Sequence, residues 1–212
     1  KKNDMRYIDE KVALKEAINN LKGNIHFYAC NCRIIDGTGK ILRENRLKRE
    51  PLISIPALCI SGCTQGCSMV FTDIFREFML NLKIQCVPMH DLVLMLYAIT
   101  YEQIYWDQIP HFAYRIHSNN VVAKGNKTFF KKIKKSYWNW KNSSMNSMAD
   151  VACEMISNCK KLEKRDYNFL LSVANYKKSC IDKFKILSIE ELSVVDKRIW
   201  RSYLCRVMLN LF

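Results

Sequence analysis

All four prolines and all six glycines of this 212-residue chain lie at or before Gly125. Proline and glycine are the strongest local breakers of regular structure, so the stretch from residue 127 to 212, which has neither, can run in uninterrupted helices. Apolar residues recur there at helical spacing among many lysines, which predicts a helical, basic C-terminal subdomain. Upstream, residues 1–126 mix helix-period and strand-period segments between turn signals, as an α/β domain does.

The composition admits a sizeable core: 49% of residues are hydrophobic and 11% aromatic in a 25.0 kDa chain, which excludes a disordered polypeptide. A formal charge of +14 favours polyanionic partners, whether nucleic acid, an anionic membrane surface or phosphorylated substrates. Ten cysteines without a signal-peptide pattern read as reduced thiols of a cytoplasmic protein rather than as a disulfide framework. Cys30, Cys32, Cys59, Cys63 and Cys67 cluster in sequence, but their spacing lacks the two-residue knuckles of structural zinc sites, so they read as small buried hydrophobes. The longest apolar run, Leu92 to Ile99, is far short of the ~20 residues that span a bilayer.

Taken in order, residues 7–22 place Tyr7, Leu14, Ile18 and Leu21 at roughly helical intervals, predicting an amphipathic helix ended by Gly23. Ile25 to Ile35 is rich in β-branched and aromatic residues and runs into Asp36-Gly-Thr-Gly39, a strand followed by a tight turn. His26 and the nearby cysteines read as packed strand residues. The polar, basic stretch 43–51 reads as a mobile surface loop. Gly62 and Gly66 precede a helix from Thr72 or Asp73 to Leu82. They suit either a plain turn or a close approach of backbone to a ligand.

His90 and Asp91 open the apolar helix that contains Leu92 to Ile99, where Asp91 has the position of an N-cap. A short aromatic strand, Gln103 to Asp107, is then broken by Pro110, and Phe112 to Ile116 forms a second extended piece. Alternation along a strand sets Arg115 and His117 to one side. A guanidinium fork suits phosphate oxygens, and a neutral imidazole suits a divalent metal. Further on, Phe129, Phe130, Ile133, Tyr137 and Trp140 form a stripe beside Lys131, Lys132, Lys134 and Lys135. Such a helix lies on an anionic membrane surface or packs its stripe on its own domain.

Three segments in this order, Gly66-Cys-Ser-Met-Val-Phe71, His90-Asp91 and Tyr114-Arg-Ile-His-Ser-Asn-Asn-Val121, resemble the C-terminal half of family 2 glycosyltransferases. The likeness is greatest to rhamnosyltransferase-like members that build bacterial surface polysaccharides. It covers about residues 1–126 and implies a partial GT-A-like mixed sheet with flanking helices, followed by the helical subdomain of residues 127–212. It implies inverting transfer of a sugar from a nucleotide-sugar donor to a glycan or lipid-linked acceptor. Asp91, next to His90, would be the catalytic base, Gly66 and Cys67 would line the acceptor side, and Arg115 and Asn120 would serve the donor diphosphate. His117 and Asp4 would hold Mg²⁺ or Mn²⁺. In the family a nucleotide-binding half ending in Asp-x-Asp comes first. Here Lys2-Asn3-Asp4 falls at that motif, with lysine at its first acidic position, so this chain by itself is expected not to complete transfer. The family's setting is cytoplasmic, peripheral on the inner face of the membrane. Two other classes fit the charge: a basic nucleic-acid-binding module, although no motif of one is present, and a non-catalytic interaction module.

Overall fold

The computed structural model describes residues 5–7, 10–101, 103–116 and 147–212. Their α/β architecture divides into two compact units that interleave in sequence. One takes in the chain up to Pro51, Cys63–Glu77 and the segment from Tyr101 through the last strand. The other takes in Leu52–Gly62, Phe78–Thr100 and the C-terminal helices.

The first unit is built on a five-stranded mixed sheet of β1 (Met5–Tyr7), β2 (Ile25–Ile35), β3 (Ile41–Arg43), β4 (Met69–Phe71) and β5 (Gln103–Arg115). Its order is β1-β5-β2-β3, and β4 pairs with β2 as well. Only the β2–β5 pair is parallel. β2 is central, flanked along its length by β5 on one side and by β4 and β3 on the other. Burial is therefore nearly continuous along it, and the strand reads as an apolar run rather than as an alternation. Tyr28, Cys30, Cys32 and Ile34 pack with Ala17 of α1 (Glu10–Asn20) on one face. Phe27 sits on the opposite face within 6.0 Å of the Phe71 and Phe75 rings. The helix predicted from Tyr7 begins instead at Glu10, because Tyr7 pairs with Phe112 in the sheet. Gly23, at φ +59°, turns the chain from that helix into β2, as expected.

β5 is one strand across Pro110, not two pieces. It keeps pairing with β2 on both sides of a bulge, with Cys30 opposite Asp107 and Cys32 opposite Phe112. A bulge accommodates a proline that the regular ladder would exclude. The basic stretch 43–51, expected to be mobile, is tied to the sheet. Asn31 is 2% exposed, and its amide donates to the Leu47 carbonyl at 2.8 Å and accepts from the Leu47 N–H at 3.1 Å. The Arg46 N–H donates to the Cys32 carbonyl at 2.7 Å, and the Arg46 guanidinium to the Cys63 carbonyl at 2.8 Å.

The second unit is helical: α2 (Ile55–Ile60), the C-terminal part of α3 (Asp73–Asn81), α4 (His90–Tyr101), α5 (Met148–Asn158), α6 (Lys164–Asn175), α7 (Cys180–Leu187) and α8 (Lys197–Met208). Among the described residues no helix is long and apolar enough to cross a membrane. The stripe of residues 129–140 lies outside the described residues. Met155, Leu170, Val173, Tyr176, Ile186, Tyr203 and Val207 are wholly buried. The Tyr176 hydroxyl donates to the Phe212 carbonyl at 2.7 Å and accepts from the Phe212 N–H at 2.9 Å. Glu154 accepts from the Gln85 and Cys86 N–H groups at 2.6 and 3.1 Å, which satisfies the chain just before α4.

Candidate functional site

One end of the sheet gathers several of the predicted residues. Arg115 closes β5 opposite Ile35 and donates from Nη1 to the Gly37 carbonyl at 3.2 Å, which joins it to the turn after β2. The Ile116 N–H continues the ladder by donating to the Ile35 carbonyl at 2.7 Å. Asp36 builds that turn: one carboxylate oxygen accepts from the Thr38 hydroxyl and from the Thr38 and Lys40 N–H groups at 2.7 to 3.0 Å. The Thr38 hydroxyl first, and then those N–H groups, hold its carboxyl below the ordinary range.

β1 runs antiparallel to β5 with Met5 opposite Tyr114, so β1 starts at the end of the sheet where β5 stops. Asp4, His117 and Asn120 lie outside the described residues. Met5 and Ile116, the sequence neighbours of Asp4 and His117, are described, and both lie at this end of the sheet.

Gly66 and Cys67 stand elsewhere on the sheet. They form a 3-10 turn, residues Gly66–Ser68, held by the Ser68 hydroxyl donating to the Gln65 carbonyl at 2.8 Å. Cys67 packs against the same buried face as Tyr28 and Cys32. Met69, two residues later, lies opposite Ala29, whereas Arg115 lies opposite Ile35. β4 runs antiparallel to β2, so the chain before Met69 leads back toward the end where Arg115 lies, and the Cys32 thiol donates to Gln65 Oε1 at 3.2 Å. Gln65, which precedes the pair, thus meets β2 at Cys32, three residues and about 10 Å before Ile35, the residue opposite Arg115.

His90 and Asp91 belong to the helical unit. The helix starts at His90, two residues earlier than a cap at Asp91 requires, and the Val93 N–H donates to the Met89 carbonyl. Asp91 thus sits inside the first turn, accepting from the Leu92 N–H at 2.9 Å, where a negative charge suits the helix dipole. It is half-buried and His90 is exposed, so both can meet solutes. In the same unit an open cavity of about 430 Å³ is lined by Arg165, Ser172, Asp182, Lys185 and apolar neighbours. Its two cations are already engaged, Arg165 by Glu191 and Lys185 by Asp182.

A polar cluster that the linear sequence does not announce lies inside the sheet. Tyr28, Asp107 and His111 are 1%, 9% and 8% exposed. The Tyr28 hydroxyl donates to Asp107 Oδ2 at 2.7 Å, His111 Nε2 lies 2.8 Å from the same oxygen, and the Ile109 N–H donates to Oδ1 at 2.8 Å. Burial above all, with the Asp107 hydrogen bond, pushes the Tyr28 phenol far above its usual range. Beside it, burial raises the thiols of Cys30 and Cys32 to about 12 and about 11. These are poor nucleophiles. Only the pairing of Asp107 with the Tyr28 region, unreadable from spacing, brings the cluster together.

Among the described residues no three His, Cys, Asp or Glu side chains gather as a metal site, and both predicted ligands lie outside that set. No family model matches this chain, nor does any curated protein or solved structure.

Proposed function

We propose that the chain is the acceptor and metal side of an inverting family 2 glycosyltransferase of GT-A type. The observation that supports this most is the antiparallel pairing of Met5 with Tyr114, which sets the neighbours of Asp4 and of His117 at one end of the sheet, beside Arg115. A carboxylate and an imidazole make a donor set suited to Mg²⁺ or Mn²⁺, and Asp4 and His117 would hold the ion. When bound, such an ion neutralises charge that develops on the leaving diphosphate.

The chain's own residues do the remainder. Arg115 offers a fork of N–H donors to diphosphate oxygens, and Asn120 adds an amide. Asp91 accepts the proton of the acceptor hydroxyl as that oxygen bonds to the anomeric carbon and the bond from carbon to diphosphate oxygen breaks. The sugar thereby inverts. His90 stands beside the base, and Gly66 and Cys67 belong to the acceptor side. The acceptor is a glycan or a lipid-linked glycan, and the lysine-flanked stripe of residues 129–140 would hold the enzyme at an anionic membrane surface.

The test is Mn²⁺ binding followed by electron paramagnetic resonance, with and without pyrophosphate as the stand-in for the donor diphosphate. Pyrophosphate should tighten Mn²⁺ binding, His117→Ala should abolish that gain, and Arg115→Ala should weaken it. If the chain binds Mn²⁺ no better with pyrophosphate and instead binds RNA or DNA with steep salt dependence, the basic nucleic-acid-binding reading replaces this one. In the transfer reaction of a protein carrying the whole fold, Asp91→Asn should lower the rate by about 10² to 10⁴-fold, the usual contribution of a general base.

A further inference from the structure

The bulge of β5 is a register problem that the protein has solved with charge. Between Cys30 and Cys32 β2 advances two residues, while β5 advances five, from Asp107 to Phe112. Three extra residues must be stored in a sheet whose side chains alternate faces. A slip of one residue beyond the bulge would turn Arg115 to the opposite face and break its bond to the Gly37 carbonyl. Pro110, with no N–H, gives the ladder nothing to count by.

The stored residues are instead held by side chains. Asp107, at the entrance, receives Tyr28 from the neighbouring strand, the Ile109 N–H from within the bulge and His111 from its exit, all at 2.7 to 2.8 Å. Gln108 donates to the Leu47 carbonyl at 2.8 Å and accepts from Trp106 Nε1 at 3.0 Å, tying the bulge to the fixed basic loop. A carboxylate taken out of water is costly unless its oxygens are satisfied, and a buried polar group that serves only packing is readily replaced by an apolar one. Here both oxygens are engaged, and each bond spans a different part of the irregularity.

We infer that Tyr28, Asp107 and His111 are positioning residues that fix the register in which β5 leaves its bulge, and so the face on which it delivers Arg115. The significance of that delivery rests on the glycosyltransferase reading; the lock itself does not. Groups that orient a metal ligand by hydrogen-bonding it typically change metal affinity by about 10 to 100-fold, which sets the scale for a loss of the strand's register.

The experiment compares Tyr28→Phe, Asp107→Asn, His111→Leu and His111→Gln by cross-strand nuclear Overhauser contacts and by Mn²⁺–pyrophosphate affinity. Contacts before the bulge, Tyr28 with Tyr105 and Ala29 with Trp106, should persist in every variant. Those after it, Ile34 with Tyr114 and Ile35 with Arg115, should be lost or shifted in Asp107→Asn and His111→Leu, and affinity should fall at least tenfold. His111→Gln, which restores an N–H donor at a similar reach, should recover both. Tyr28→Phe, which removes one hydroxyl and little volume, supplies the same comparison where Asp107→Asn does not fold. Unchanged contacts after the bulge in Tyr28→Phe and His111→Leu, with affinity within twofold of the parent, would overturn the inference. A parent chain that fails to bind Mn²⁺–pyrophosphate defeats the glycosyltransferase reading alone, since the contacts still report the register.

Discussion

Burial pushes the Cys30 and Cys32 thiols up to about 12 and about 11, which removes nearly all of the small thiolate fraction an ordinary cysteine has at neutral pH. They should therefore be silent to an alkylating reagent while the protein is folded, and so should Cys59 and Cys63, which are also buried. Cys153 and Cys180 are exposed and should be modified first. Mass spectrometry after a brief iodoacetamide pulse checks the order; early labelling of Cys30 would contradict it. That these cysteines are core residues was legible, since they sit in a strand of apolar and aromatic neighbours. The company they keep was not. Tyr28 and Asp107 are joined only by pairing across 78 intervening positions, and His111 reaches Asp107 only because the bulge shortens the distance between them. Asp91 shows how fine the limit is: its position near the helix start was readable, but the step from cap to first turn depends on the Met89 carbonyl.

Elements were legible in proportion to their length and regularity. β2 matches its predicted span residue for residue because β-branched and aromatic side chains run unbroken to a turn of Asp and Gly. α4 was visible as an apolar run behind His90 and Asp91. α2 was invisible: its six residues are all buried, so they carry no amphipathic period, and Pro56 reads as a breaker although it fits the first turn after the Ser54 cap. The basic stretch was misread because nothing in its own residues says that Asn31, Gln108 and Arg46 hold it. Helix packing in the second unit yields its own prediction. Phe212 is 2% exposed against the Tyr176 and Tyr203 rings, so Phe212→Ala should cost about 3 kcal/mol, read as a lowered midpoint in urea. A change below about 0.5 kcal/mol would show that this seat is empty in solution.

For the whole molecule, alkali is the informative perturbation. Cys30 and Cys32 in the sheet, and Tyr97 and Tyr176 in the helical unit, are all raised by burial, the two tyrosines to about 12. A group raised in the folded state contributes stability that is complete below its unfolded value, about 9 for thiols and 10 for phenols. That stability is lost as pH climbs through the folded values. Stability should hold to about pH 9 and then decline toward pH 12, as followed by urea midpoints across that range. A flat profile would mean these groups are hydrated in solution. The parallel pairing of β2 with β5 also sets a timetable for synthesis. Tyr28 leaves the ribosome 77 residues ahead of Tyr105, its register partner. At 5 to 20 residues per second, β2 waits about 4 to 15 s for the strand that completes its sheet. During that interval it is an apolar strand with an open edge, so nascent chains arrested before residue 103 should be protease-sensitive and held by chaperones, whereas those arrested after β5 has emerged should not.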